Sequence, residues 1–201
     1  MEIHHSSKSR YGSPRIHEVL KKQSEVFGRK RIVRLMNEAN IHAKGKRKFK
    51  STTDLAHHYG ISDNLVNQPN HIWAGDIMYV RTQEGWLYLA IVIDLYSRKV
   101  IGWAMDKRMT RQLVIDALLR AYWLRKLNST VIHHSNRGSQ YVSGEFQEKL
   151  ATLNMVCSKS GKGNCYDNSV VESFFHTLKV ELVHGENFVT RQQAKSEIFQ
   201  Y

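Results

Sequence analysis

The sequence predicts an α/β protein in which a mixed sheet carries helices, preceded by a small helical segment. Three observations predict it. Short runs rich in β-branched and aromatic residues follow one another from Ile72 on tight turns, helical and strand patterns alternate after them, and the first forty residues hold two helical patterns separated by a glycine. With 201 residues, 41% of them hydrophobic, the chain can bury one core of ordinary size and a small appendage. The expected division is a helical segment over 1–43, a basic and polar linker over 44–70, and the core over 71–201.

Ser13-Pro14 ahead of Arg15-Ile16-His17-Glu18-Val19-Leu20 reads as an N-cap serine with proline at the first helical position. After Phe27-Gly28, the stretch Arg29 to Ala39 places Ile32, Leu35, Met36 and Ala39 on one face and Arg29, Lys30, Arg31 and Arg34 largely elsewhere. Two short helices around a glycine-containing turn are compatible with a helix-turn-helix, and equally with a plain helix pair that solvates a basic face. Lys44-Gly45-Lys46-Arg47-Lys48-Phe49-Lys50 has too much like charge for a packed element and reads as a linker. Residues 51–70 are polar without a clear period and lead into the core.

The runs Ile72 to Val80, Trp86 to Leu95 and Lys99 to Met105 are separated by Gln83-Glu84-Gly85 and Tyr96-Ser97-Arg98, which predicts three strands in an antiparallel meander. Thr110 to Leu127 then has a long helical pattern with Thr110 as a plausible N-cap. A strand over Thr130 to His134, a helix over Ser143 to Leu153, a strand over Met155 to Ser158 and a helix over Asp167 to Leu182 follow, and another helix starts at Gln192.

A net charge of +12 and a pI near 9.8 favour an anionic partner, either nucleic acid or an acidic membrane surface. The excess is concentrated early: residues 1–70 hold 14 Lys and Arg against 6 acids, and residues 71–201 hold 16 against 12. No run approaches eighteen apolar residues, and Met1-Glu2-Ile3-His4-His5 lacks the apolar stretch of a signal peptide, so a cytoplasmic setting without a membrane is expected. Cys157 and Cys165, with no Cys-x-x-Cys pair, read as free thiols and not as a disulfide framework or zinc knuckle.

Three polar groups stand out. Asp76 lies in an apolar strand, where a carboxylate is costly to bury without a metal or partner, although a strand-edge aspartate facing water is the plain alternative. Glu172 shares three- and four-residue steps with Asn168, Phe175 or His176, and Lys179, which by itself is an exposed Glu-to-Lys helix face. His133 and His134 are adjacent on a strand, point to opposite faces and cannot easily share one ion.

The segments Trp73-Ala74-Gly75-Asp76-Ile77-Met78-Tyr79, His133-His134-Ser135-Asn136-Arg137-Gly138-Ser139-Gln140-Tyr141 and Asp167-Asn168-Ser169-Val170-Val171-Glu172-Ser173-Phe174-Phe175 resemble the three catalytic blocks of bacterial insertion-sequence transposases with a retroviral-integrase-like core. Thirty-five residues lie between Asn136 and Glu172, the interval that family keeps between its second aspartate and its glutamate. Tyr11-Gly12-Ser13-Pro14-Arg15-Ile16 and Lys30-Arg31-Ile32-Val33-Arg34-Leu35-Met36 resemble the helical segment preceding that core, and Gly161 to Asn168 the glycine-rich lead-in to the glutamate.

The resemblance implies a ribonuclease-H-like core with a mixed five-stranded sheet, and metal ligation and catalysis by Asp76, residue 136 and Glu172. It implies two Mg²⁺ (or Mn²⁺) ions, roughly 4 Å apart, that activate a water or 3′-hydroxyl and stabilise the leaving oxygen. It makes phosphate contacts out of Arg29, Lys30, Arg31, Arg34, Lys44, Lys46, Arg47, Lys48, Lys159, Lys162 and Lys179. The implied partners are element-end and target DNA, further copies of the chain on DNA, and the product of the element's first reading frame. Asp94 also matches the family but is not one of its catalytic acids; pairing with Arg98 or with turn backbone is expected. Glu145 sits too late to stand in for a missing acid.

Asn136 departs from the pattern. An amide oxygen can coordinate a metal but brings no charge and cannot bridge two cations. Loss of one preorganised electrostatic group commonly costs roughly 3 kcal/mol, a hundredfold or more in rate, so impaired catalysis is expected. The family continues past the glutamate helix with a further basic helical region, of which Gln192 to Tyr201 is only a start, which reads as a shortened C-terminus. A non-catalytic DNA-binding relic or competitor of intact transposase is the alternative expectation, and a structure-specific nuclease on the same fold a third.

Overall fold

The computed structural model describes residues 2–25, 27–43, 68–127, 129–159 and 169–201, apart from the side chain of Lys159. The chain divides into two compact units, Met1–His58 and Tyr59–Tyr201.

The first unit holds three short helices, α1 (Glu2–Ser6), α2 (Ser13–Lys22) and α3 (Arg29–Glu38). α1 has no counterpart in the sequence reading; five residues are too few to show a period, and the turn is secured instead by His4, whose buried ring donates to the His42 carbonyl at 3.2 Å. The N-cap of α2 is Gly12 rather than Ser13. Gly12 is extended, and Ser13 is already helical ahead of Pro14. Proline at the first turn loses no helical hydrogen bond, so Pro14 starts the helix without a side-chain cap. Ile16 and Ile32 are buried between the helices. Leu35, expected on the buried face, is 47% exposed, because the apolar stripe of α3 opens on a groove shared with Ile3, Leu20 and Phe27.

The second unit is a five-stranded sheet in the order β3-β2-β1-β4-β5. Its strands are β1 (Ile72–Thr82), β2 (Gly85–Asp94), β3 (Lys99–Asp106), β4 (Val131–Ser135) and β5 (Met155–Lys159). β1, β2 and β3 form the expected antiparallel meander, while β4 joins β1 and β5 joins β4 in parallel. Parallel pairs need crossovers, which helices α4 (Arg111–Arg125) and α6 (Gly144–Thr152) supply. Thr110 takes the N-cap position of α4 without a side-chain bond, whereas Ser143 caps α6 by accepting from the Phe146 amide. A separate turn of helix, α5 (Ser139–Val142), precedes α6.

Each face of the sheet has its own core. Trp73, Val92 and Ile101 pack with Leu118 and Ala121 of α4 and Phe146 of α6. On the opposite face Ala74, Met78, Leu89 and Ile91 pack with Val171, Phe175 and Leu178 of α7 (Ser169–Glu181) and with Ala194 of α8 (Arg191–Gln200). Gly102 permits a close approach of α4 to β3, since a Cβ there would lie 2.2 Å from the Ala117 carbonyl oxygen. No helix among the described residues is long and apolar enough to cross a membrane.

Candidate active site at the ends of two parallel strands

Parallel pairing of β1 with β4 decides which residues meet. The register aligns Gly75 with Ser135, so the next residues, Asp76 and Asn136, emerge side by side. β4 ends at Ser135 while β1 continues into its hairpin with β2, and Asn136 is therefore on the connection where the chain leaves the sheet. Loops at the carboxyl ends of parallel strands are where α/β sheets hold reactive groups.

The two side chains are in contact. Asn136 Nδ2 donates to Asp76 Oδ1 at 3.0 Å, and the Ile77 amide donates to the same oxygen at 2.8 Å. Asn136 Oδ1 accepts from the Gly138 amide at 2.8 Å. Because a backbone N–H can only donate, that bond fixes which end of the carboxamide is oxygen and turns the NH₂ toward the carboxylate. Asp76 is half-buried and Asn136 exposed.

Glu172 lies in the first turn of α7, exposed, next to Val171. Val171 belongs to the same core cluster as Ala74 and Met78, the residues two before and two after Asp76, so α7 packs on the sheet face that carries Asp76. Phe175 is buried, which removes it from the polar stripe and leaves His176 exposed beside Glu172 and the half-buried Lys179.

A buried aromatic floor lies beneath Asp76. His133 packs edge to face against Phe146 and near Tyr141, with ring centroids 5.4 and 6.2 Å away. A Cβ at Gly75 would meet His133 Nε2 at 2.9 Å, so only glycine fits there over the imidazole. Burial, reinforced by His134, lowers the His133 pKa to about 4. Burial foremost, and then the Asp76 carboxylate, raises that of Tyr141 well above its usual value. Sequence reasoning gave Tyr141 no role; its place five residues after Asn136 in the same block was the available signal. His134 Nδ1 lies 3.1 Å from Ser158 Oγ on the neighbouring strand, apart from His133 as the pleat requires.

Two further acids are accounted for. Asp94, fully buried, accepts from the Asn70 and Ser97 amides and from the Ser97 hydroxyl, and so ties the start of β1 to the β2–β3 turn, as the expected pairing with turn backbone requires. Glu145 pairs with Arg111 of α4 at 2.5 Å.

Among the expected phosphate-binding residues, Arg29, Lys30, Arg31 and Arg34 are all exposed on α3. Arg31 lies over the Phe27 ring at 5.2 Å, and Arg34 pairs with Glu38 at 3.5 Å. Lys179 Nζ lies 5.8 Å from the centre of the Tyr79 ring, which meets Trp86 edge to face. Lys44, Lys46, Arg47, Lys48, Lys162 and the lead-in Gly161 to Asn168 lie outside the described residues, as does Cys165; the backbone of Lys159 ends β5.

Hard divalent ions such as Mg²⁺ and Mn²⁺ take oxygen ligands, chiefly carboxylates. Residue 136 turns a hydrogen-bond donor to Asp76, and no group of three or more His, Cys, Asp or Glu among the described residues could hold a metal ion. These residues as they stand do not fit a two-ion site.

Residues 66–165 and 172–201 match the integrase core domain families, and residues 1–49 match an HTH-like domain. The chain is 49% identical, over 97% of its length and 70% of the relative's, to the transposase InsF for insertion sequence IS3A of Escherichia coli K12. It is 42% identical, over 99% of its length and 81% of the relative's, to the transposase for insertion sequence element IS904 of Lactococcus lactis. Among solved structures it resembles the simian T-cell lymphotropic virus intasome in complex with the PP2A regulatory subunit B56 gamma, with a TM-score of 0.56 at 22% identity over 75% of this chain and 54% of that one. It also resembles the HTLV-2 integrase catalytic core in complex with magnesium, trimeric form, with a TM-score of 0.50 at 22% identity over 67% of this chain and 86% of that one. These two likenesses identify the fold.

Proposed function

Since the chain belongs to the insertion-sequence transposases with an integrase core, we propose that it binds the DNA ends of its element through the basic helical unit and that its core is built for phosphodiester cleavage and strand transfer but is impaired by Asn136. Family membership supports a role in DNA transposition and a cytoplasmic setting. The observation that carries the reading is the juxtaposition of Asp76 and residue 136 at the ends of β1 and β4, with Glu172 on the helix packed over the same sheet face. Two carboxylates and an amide occupy the positions where the resemblance expects three carboxylates.

The geometry supports a role for each of the chain's own residues in this reading. Asp76 is the preorganised acid, held by backbone from one side. Glu172 approaches from the α7 layer, and the aromatic floor of His133 and Tyr141 excludes water from beneath the strand ends. A divalent cation, magnesium or manganese, is the cofactor class that goes with the reading, and residue 136, whose amide turns its NH₂ toward Asp76, does not fit as its ligand. Assembly of several copies on DNA and pairing with a first-frame product belong to the same proposal.

Nicking of supercoiled plasmid in Mg²⁺ or Mn²⁺, by the chain and by Asn136→Asp, tests it. Nicking by Asn136→Asp at least a hundredfold faster than by the unmodified chain, and abolished by Asp76→Ala, is expected. Equal nicking by both forms would show that the amide suffices. A second reading, a DNA-binding competitor of intact transposases, is favoured by the same amide; it requires DNA binding without nicking in both forms.

A further inference from the structure

Asn136 does more than lack a charge. Its carboxamide is pinned at both ends: the oxygen receives the Gly138 amide at 2.8 Å, and the nitrogen donates to Asp76 Oδ1 at 3.0 Å. Rotating the amide to offer its oxygen to a cation would set NH₂ against the Gly138 N–H, donor against donor, and break the bond to Asp76. Asp76 Oδ1 has two lone pairs, one already engaged by the Ile77 amide at 2.8 Å. The Asn136 donor takes the second.

From these contacts we infer that Asn136 is a latch, its amide N–H occupying Asp76 Oδ1 in place of a divalent cation and disfavouring cation binding at the strand ends. The inference rests on the reading of Asp76 as a cation-binding acid. A latch and a missing ligand make different predictions. If residue 136 merely fails to coordinate, removing its side chain leaves cation affinity unchanged or lower. If it is a latch, removing the donor vacates one lone pair of Asp76 Oδ1 and raises the affinity, even though no ligand is added. Breaking one hydrogen bond to a charged acceptor corresponds to a change of about tenfold.

Mn²⁺ binding, followed by the electron paramagnetic resonance signal of the free ion, separates the two in the unmodified chain, Asn136→Ala and Asn136→Asp, each with and without Asp76→Ala. Asn136→Asp keeps an acceptor for the Gly138 amide and serves as the folded control; thermal melting checks that Asn136→Ala is folded. The latch predicts that Asn136→Ala binds Mn²⁺ about tenfold more tightly than the unmodified chain, that Asn136→Asp binds more tightly still, and that Asp76→Ala abolishes both gains. Gain in Asn136→Asp but none in Asn136→Ala overturns the latch and leaves the active-site reading intact. No binding by Asn136→Asp overturns both. Independently, the carboxamide proton resonances of Asn136 in the unmodified chain are expected to move on Asp76→Ala; resonances that stay in place overturn the latch without any metal being added.

Discussion

Burial holds His133 neutral, and that gives the protein a pH dependence that one residue can account for. Its pKa in the fold is about 4, against 6.5 for an ordinary imidazole. Between these values the unfolded chain binds a proton that the folded chain does not, so stability rises with pH across the window. The contribution is fully present above pH 6.5, falls as the pH drops toward 4, and amounts to about 3 kcal/mol over the whole interval. Urea unfolding of His133→Phe at pH 7 and pH 4.5 checks this, since phenylalanine fills the pocket beside Tyr141 and Phe146 without titrating. The substitution is expected to flatten the dependence by about 2 kcal/mol or more; an unchanged slope assigns the acid sensitivity to other groups. The opposite facing of His133 and His134 was legible in the sequence because the pleat alone dictates it. The approach of Tyr141 to Asp76 and the direction of the Asn136 amide were not, since both depend on how β4 is set against β1.

At the scale of elements, the strands were legible because β-branched and aromatic runs between turn residues carry their own signal, and all five appear within two residues of their expected ends. α1, the Gly12 cap and the division of α5 from α6 were not legible, because single turns are stabilised by contacts such as that of His4 with His42 and not by periodicity. Two joints between elements are testable. At Gly102 a Cβ would fall 2.2 Å from the Ala117 carbonyl and 2.7 Å from the Ala121 Cβ, so Gly102→Ala must push α4 off β3. A loss of about 2–3 kcal/mol in urea unfolding is expected, and a loss below about 0.5 kcal/mol would mean that the helix shifts freely. At the far end of the sheet Arg191 fastens α8 to the β1–β2 hairpin: its Nε donates to the Trp86 carbonyl at 2.9 Å, its guanidinium also reaches the Glu84 carbonyl, and its amide donates to the Glu84 carboxylate at 2.9 Å. Arg191→Ala is expected to cost about 1 kcal/mol and to accelerate amide hydrogen exchange in α8 while β1 keeps its protection. Acceleration spread equally over both would show that α8 and the sheet open as one unit.

For the whole molecule, charge and chemistry are carried by different stretches of chain. Of the +12 excess, the first seventy residues hold 14 basic against 6 acidic side chains, whereas Asp76, Asn136 and Glu172 all lie beyond them. DNA affinity and strand chemistry should therefore separate by mutation. Binding driven by phosphate neutralisation releases counterions, and the logarithm of affinity falls with the logarithm of salt by about 0.9 for each phosphate contact. Arg29, Lys30, Arg31 and Arg34 are exposed, and the partners of Arg31 and Arg34, the Phe27 ring and Glu38, are weak surface contacts that a phosphate can displace. Replacing all four with alanine is expected to reduce the salt slope for a random-sequence duplex by about 2–4. Asn136→Asp, which adds one negative charge far from this segment in sequence, is expected to change the slope by less than about 1. Fluorescence anisotropy across a salt series measures both. If the alanine variant keeps the full slope, the phosphate contacts lie on the core and α3 is a packing helix with a solvated basic face. If Asn136→Asp alone lowers it, DNA runs over the strand ends even in the metal-free form.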